Sequence, residues 1–107
     1  MTIYLAGPIT GVPRYRMRFA AVALKILAVE PRAIILNPAI LPEGMRPADY
    51  MAICLPMLMR ADAVFLLPGW DLSGGARIEK GLADYLRIRT VEVSAEALEK
   101  AMEELRK

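Results

Sequence analysis

The sequence predicts an α/β fold, a Rossmann-like (flavodoxin-like) three-layer sandwich in which about four parallel strands lie in the order 2-1-3-4 with helices on both faces. Short apolar runs alternate with helical stretches, and parallel neighbours need such helical crossovers. The run at residues 63–67 is apolar throughout, which is typical of a strand covered on both faces. With 107 residues the chain fits one domain, residues 1–107.

The elements follow in order from apolar runs and the breakers that end them. Gly7-Pro8 ends the first strand, and Asn37-Pro38 ends the second. Pro56 falls inside the second helix, which we expect it to kink or split. The predicted strands and helices alternate at residues 2–6, 14–28, 33–36, 48–60, 63–67, 76–86, 90–93 and 95–106.

The first helix carries apolar residues at helical spacing, which predicts its core face. They recur every three or four positions at Met17, Ala20, Ala21, Leu24, Leu27 and Ala28. We expect this face to pack against the sheet.

Composition excludes several classes of protein. Hydrophobic residues make up 56% of the chain, which excludes intrinsic disorder. So high a fraction also predicts that apolar surface stays exposed on a single copy of the chain, and therefore a homo-oligomer, a dimer or tetramer. A net charge of +2 without a basic run argues against a nucleic acid polymer as partner. No apolar stretch reaches the roughly 18 residues of a membrane span, and the N-terminus has no basic signal-peptide region. We therefore expect a cytoplasmic protein without a membrane partner.

Residue usage also limits the chemistry. The chain has no histidine and one cysteine, Cys54, which excludes an internal disulfide, histidine-based catalysis and a cysteine cage for metal. Asp62, Asp71 and Glu79 show no spacing typical of metal ligands, so no metal is predicted. The glycine-rich loops match neither G-x-G-x-x-G nor the P-loop, so we expect no cofactor.

Ligands of such sheets bind beyond the carboxyl ends of the strands, which singles out the loops at residues 7–16 and 68–75. The first loop runs through the segment Gly7, Pro8, Ile9, Thr10 and Gly11. Glycines there permit close approach of a ligand to the backbone. The helix start then carries Arg14, Arg16 and Arg18. Their positive charges are unfavourable at the positive end of the helix dipole, which favours a bound anion between them. The alternative is that they are three solvated surface arginines.

The second loop also ends at a helix start. Free backbone N–H groups there form an anion site, to which a serine adds a hydroxyl. A carboxylate one turn into the helix can face the same cleft; the alternatives are a simple turn and a solvated carboxylate. The candidate residues are Trp70, Asp71, Ser73, Gly74, Gly75 and Glu79.

Four ordered motifs within residues 2–93 resemble a domain of unknown function found in bacteria and phages, the DUF4406 family. They are the segments at residues 3–11, 37–39, 62–70 and 73–79. That family is similar in turn to the nucleoside 2-deoxyribosyltransferases and the deoxynucleoside 5′-monophosphate N-glycosidases. The resemblance implies a small-molecule nucleotide or nucleoside as ligand.

The resemblance to these enzymes implies roles for three residues. Glu79 matches a carboxylate nucleophile that attacks the anomeric carbon of the sugar and releases the base. Tyr4 matches a tyrosine that orients this carboxylate, and Ser73 matches a serine that binds a 5′-phosphate. The chain departs from the enzymes at Cys54, where they carry an aspartate acid near the leaving base, and at Thr10, where the N-glycosidase has an arginine.

These residues lead to the hypothesis of a nucleotide N-glycosidase or deoxyribosyltransferase acting on a nucleoside 5′-monophosphate. Two alternatives stay open. Cys54 at the acid position favours a non-catalytic nucleotide-binding module. The Met-rich second helix and the high apolar fraction favour an oligomeric scaffold.

Overall fold

A computed structural model describes residues 1–94 together with residues 100, 103 and 104. Its strands are β1 (Thr2–Ala6), β2 (Ile34–Leu36), β3 (Ala63–Leu66) and β4 (Arg89–Glu92). The helices between them are α1 (Tyr15–Val29), α2 (Pro47–Met59) and α3 (Gly74–Tyr85), with short 3-10 turns at Pro38–Ile40 and Trp70–Leu72. The helix predicted at residues 95–106 lies, apart from three residues, outside the described part of the chain.

The four strands form one parallel sheet in the order β2-β1-β3-β4, which confirms the predicted fold class and strand order. β1 and β3 are central. Tyr4 pairs with Leu36 on one side and with Val64 on the other. Both central strands are buried almost throughout, which explains their continuous apolar runs.

Side chains alternate across the central strands and build a separate core on each face. On one face, α1 packs its buried residues against the sheet, in a cluster that includes Ile3, Leu5 and Phe65. On the opposite face, α2 and α3 pack against Tyr4, Ala6, Val64 and Leu66. The three layers are therefore helix, sheet and helix pair.

The predicted core face of α1 is wrong except at Leu27, which is half-buried against the core. Met17 and Leu24 are 66% and 68% exposed, and the buried face is formed by Phe19, Val22 and Ile26. Both stripes have the same three- and four-residue spacing, so periodicity alone does not choose between them. The buried stripe holds an aromatic and two β-branched residues, whereas the exposed one is rich in alanine. Burying the larger side chains removes more apolar surface from water.

α2 continues through Pro56, so the predicted split of this helix is wrong. The missing N–H of Pro56 leaves the carbonyl of Ala52 without its helical partner. Both residues are exposed, so water can satisfy that carbonyl. None of the helices in the described part of the chain is long and apolar enough to cross a membrane.

Gly7, immediately after β1, lies in a tight contact that fixes the start of the first loop. A Cβ atom there would lie 2.8 Å from Cβ of Leu67 and 3.3 Å from Cζ of Phe19. We expect Gly7→Ala to lower the free energy of unfolding by about 1–3 kcal/mol, because the surrounding core must shift. Urea unfolding measures this change.

The matched control is Gly81→Ala, inside α3, where an added Cβ meets nothing within 4 Å. This variant is expected to be stabilised by about 0.5–1 kcal/mol, the helix propensity difference between the two residues. Equal unfolding midpoints for Gly7→Ala and the unmodified chain would contradict the tight contact.

Candidate functional site

A cleft of about 270 Å³ opens beyond the carboxyl ends of β1 and β3, where the fold predicts a ligand site. Four segments form it: β1 with the loop that follows, the 3-10 turn after β2, the first two turns of α2, and the start of α3. The residues that line it are Tyr4, Gly7, Ile9, Thr10, Pro38, Pro47, Tyr50, Met51, Cys54, Ser73, Gly75, Ala76, Ile78 and Glu79.

Glu79 and Tyr4 meet at the bottom of this cleft. Glu79 lies on α3 and is 5% exposed, the one buried charged residue in the described part of the chain. The hydroxyl of Tyr4, from the middle of β1, donates a hydrogen bond to Oε2 of Glu79. The strand and the helix thus bring together two residues that lie 75 positions apart in the sequence.

Burial controls the protonation of this pair. Removal from water raises the pKa of Glu79 to about 7, although the hydrogen bond from Tyr4 acts in the opposite direction. Burial and the neighbouring carboxylate together raise the pKa of Tyr4, so its hydroxyl stays a donor at neutral pH. A carboxyl that titrates near neutrality in a cleft is typical of functional sites.

Cys54, on α2, completes the group at the bottom of the cleft. Its side chain is buried in the same core cluster as Tyr4. Burial raises the pKa of the thiol, which keeps its proton at neutral pH. In the described residues, no group of three or more Cys, Asp and Glu side chains is arranged to hold a metal ion.

A second cleft, of about 400 Å³, adjoins the first and shares Thr10, Ser73 and Gly75 with it. Pro8, Gly74 and Arg18 also line it. Ser73 is the N-cap of α3, and its Oγ accepts a hydrogen bond from the backbone N–H of Ala76 at 3.3 Å. The hydroxyl hydrogen can still be donated to a ligand, beside the free N–H groups of the first helical turn.

The arginines of the first loop point in different directions. Arg16 donates hydrogen bonds to the backbone carbonyls of Ala39 and Leu41, both at 3.1 Å, and so joins α1 to the turn after β2. Arg14 is an exposed N-cap with a left-handed φ of 57°. Neither side chain lines the two clefts, whereas Arg18 lines the second one.

The remaining predicted site residues lie outside both clefts. Trp70 donates a hydrogen bond from Nε1 to Glu92 at 2.9 Å, which links the loop after β3 to β4. Asp71 is exposed. Gly11 has a φ of 73° and turns the first loop.

The wall that α2 contributes to the cleft, with Pro47, Tyr50 and Met51, was not predicted from the sequence. In the sequence, the methionines of this helix favour only an oligomeric scaffold. A topological signal for this wall exists: every helix that follows a parallel strand begins at the carboxyl edge of the sheet. The start of α2 therefore belongs to the same edge as the two glycine-containing loops.

The chain is similar in fold to a solved structure, a conserved protein from Enterococcus faecalis V583. The two share 19% sequence identity with a TM-score of 0.66, and the match covers 99% of this chain and 74% of the other. No curated protein matches the chain. The model of the family described as a domain of unknown function (DUF4406) matches residues 1–92. This match covers most of the chain, which therefore belongs to the DUF4406 family.

Proposed function

We propose that the protein cleaves, or transfers at, the N-glycosidic bond of a nucleoside 5′-monophosphate, with Glu79 as the nucleophile. The observation that carries this proposal is the buried carboxylate of Glu79, held by Tyr4 at the bottom of a cleft. Burial of this carboxylate costs stability, because desolvation disfavours its charged form, and such a cost is typical of functional sites. The resemblance to N-glycosidic enzymes supports the same role.

The proposed reaction has two steps. The ionised Glu79 attacks C1′ of the sugar through the oxygen that Tyr4 does not hold, and a C1′–O bond forms as the C1′–N bond breaks. The bonding electron pair leaves with the base. Water or another base then attacks C1′ and gives up a proton to the departed base, while the C1′–O bond to Glu79 breaks and the carboxylate is restored. Tyr4 is the positioning residue, since its hydrogen bond fixes the carboxylate plane.

The second cleft is proposed to hold the 5′-phosphate. The hydroxyl of Ser73 and the first N–H groups of α3 are suited to bind an anion at a helix start. Arg18 lines the same space and can add a positive charge. The two clefts share three residues, so a sugar ring can lie between the phosphate and a base in the first cleft.

A chromatographic assay tests this function. The protein is incubated with a panel of ribo- and deoxynucleoside 5′-monophosphates, and free base and sugar phosphate are quantified. We expect equimolar release of both from at least one member of the panel when water is the acceptor. If every nucleotide stays intact, also with a second base added as acceptor, the proposal is wrong.

Tyr4→Phe is expected to move the pH dependence of this reaction. The nucleophile must be ionised, so kcat/KM rises as pH increases through the pKa of Glu79, about 7. The hydrogen bond from Tyr4 lowers that pKa, so its loss shifts the rising limb to higher pH. Tyr85→Phe, at an 84% exposed position on α3, is the control and should leave the profile in place. An unshifted profile in Tyr4→Phe would overturn the positioning role.

Cys54 supports a second candidate function, a nucleotide-binding module that leaves its ligand intact. A protonated thiol with a raised pKa is a poor acid for a leaving base. For this candidate, calorimetry gives saturable binding of a nucleoside 5′-monophosphate while the chromatographic assay shows no free base. Binding lost in Ser73→Ala would place the phosphate as proposed.

We also propose that the protein is cytoplasmic and that a second copy covers the exposed stripe of α1. About two thirds of the surface of Met17 and of Leu24 is exposed to water. The stripe continues through three exposed alanines, Ala20, Ala21 and Ala28. Leu24→Glu is expected to reduce the mass measured by light scattering to that of a monomer. A monomer before substitution would contradict this assembly.

A further inference from the structure

Resting on the proposed role of Glu79, we propose that the preferred substrates are nucleotides whose base is already positively charged at the glycosidic bond. N-ribosylpyridinium 5′-phosphates and N7-alkylated purine nucleotides belong to this class. The wall that α2 contributes to the cleft has the chemical character that favours these substrates.

The leaving base must lie against the wall formed by α2. Part of the cleft is shared with the second cleft, at Thr10, Ser73 and Gly75, and takes the phosphate in the proposed function. The rest of the lining includes Pro38, Pro47, Tyr50 and Cys54, and Met51 of the same helix as Tyr50 lies next to Gly75. These side chains present rings, a thioether and a thiol, which are weak partners for a developing negative charge.

Charge balance then distinguishes two kinds of substrate. Glu79 is the only charged side chain among the described residues that line this cleft. When it attacks a cationic nucleotide, the C1′–O bond forms, the C1′–N bond breaks, and the electron pair neutralises the nitrogen. A carboxylate and a cationic base thus become a neutral ester and a neutral base. A desolvated cleft favours this loss of charge, because separated charges are costly in low dielectric.

A neutral base has a less favourable path. Its nitrogen receives the electron pair and departs as an anion unless a proton reaches the base during the step. The negative charge would then develop against the apolar α2 wall, where the thiol of Cys54 holds its proton tightly. The reaction moves a charge from a hydrogen-bonded carboxylate to an apolar surface, which raises the barrier.

Tyr50 adds an aromatic surface that suits a cationic ring. Its hydroxyl donates a hydrogen bond to the carbonyl of Pro42 at 2.6 Å, which holds the side chain at the start of α2. An aromatic face attracts a cation lying over it by about 0.5–2 kcal/mol. Ground-state binding and the change of charge during the reaction therefore favour the same substrates.

The test uses two nucleotide pairs with the same ribose 5-phosphate. One pair is GMP and 7-methyl-GMP, which differ by one methyl group and one positive charge; the other is AMP and nicotinamide mononucleotide. Base release is measured with the full chain, and each rate is divided by the uncatalysed rate at the same pH. We expect the acceleration of each cationic nucleotide to exceed that of its neutral partner by at least about tenfold, which corresponds to a barrier lower by at least RT ln 10.

Substitution of Cys54 gives the matched control. Cys54→Asp places a carboxylic acid on the α2 wall, which should speed release of the neutral base. We expect it to lower the ratio of the cationic to the neutral acceleration within each pair. Cys54→Ser adds no acid and should leave the ratio unchanged. If Cys54→Asp does not fold, the ratios of the unmodified protein still decide the question.

The outcomes separate this inference from the proposed function. Accelerations of GMP and AMP that equal or exceed those of their cationic partners would overturn the substrate preference and leave the N-glycosidic function standing. A ratio that Cys54→Asp leaves unchanged would also overturn it. If all four nucleotides and the deoxynucleotide panel stay intact, the proposed function fails and this inference fails with it.

Discussion

Glu79→Gln is expected to abolish base release, by at least about 10³-fold in kcat, the scale on which loss of an essential catalytic group acts. An amide has no ionisable oxygen to form the ester with C1′, yet it keeps the size of the side chain and can still accept the hydrogen bond from Tyr4. The fold and the nucleotide affinity should therefore survive. Free base is quantified by chromatography, and affinity by calorimetry on the same preparation.

Asp84→Asn is the matched control for this substitution. Asp84 lies on the same helix, α3, but is exposed and pairs with Lys80 outside the cleft. Its loss should leave base release unchanged. Full turnover in Glu79→Gln would show that the carboxylate does not react, whereas turnover lost in both variants would indicate damage to α3.

The same substitution is expected to change how stability depends on pH. The pKa of Glu79 is about 7 in the folded protein and near 4.5 in the unfolded chain, so the folded state holds the proton more tightly. Its contribution to stability is complete below about pH 4.5 and is lost as pH rises through about 7. Glu79→Gln does not lose this contribution. Its free energy of unfolding should therefore rise relative to that of the unmodified protein as pH increases across this window.

Urea unfolding at pH 4.5 and pH 8 measures this gain. The difference in unfolding free energy between Glu79→Gln and the unmodified chain should grow by up to about 3 kcal/mol between the two values, the size set by the pKa shift. Every other carboxylate contributes to both proteins and drops out of the comparison. A constant difference would mean that Glu79 is not desolvated in solution.

The strand order and both layers of helices could be predicted because burial of the central strands leaves a local signal. β1 and β3 are covered on both faces, so each reads as an unbroken apolar run. Helical crossovers between parallel strands then restrict the topology. The ligand edge follows from that topology, and the structure has its clefts there.

The orientation of α1 could not be predicted, because two apolar stripes of the same period run along it. The choice depends on which stripe removes more surface from water, and therefore on the shape of the sheet it covers. This choice also decides which arginine lines a cleft. The sequence does not distinguish Arg16 from Arg18, but of the two it is Arg18 that lines a cleft, whereas Arg16 hydrogen-bonds to Ala39.

The contact between Tyr4 and Glu79 had no signal in spacing. Tyr4 occurs within an apolar strand and Glu79 within an amphipathic helix, and each has an ordinary structural explanation there. The resemblance to enzymes paired them, and the structure brings them together through the packing of α3 on the sheet. The α2 wall was not predicted because residues of its composition are also typical of a core.

The stereochemistry of transfer to methanol tests most directly whether Glu79 forms a covalent bond to the sugar. The protein is incubated with a β-configured nucleoside 5′-monophosphate in aqueous methanol, and NMR identifies the configuration of the methyl glycoside. Two successive displacements at C1′ retain the β configuration, which is the result we predict. An α-configured product would show that the acceptor displaces the base in one step, and would contradict the role of Glu79 as nucleophile.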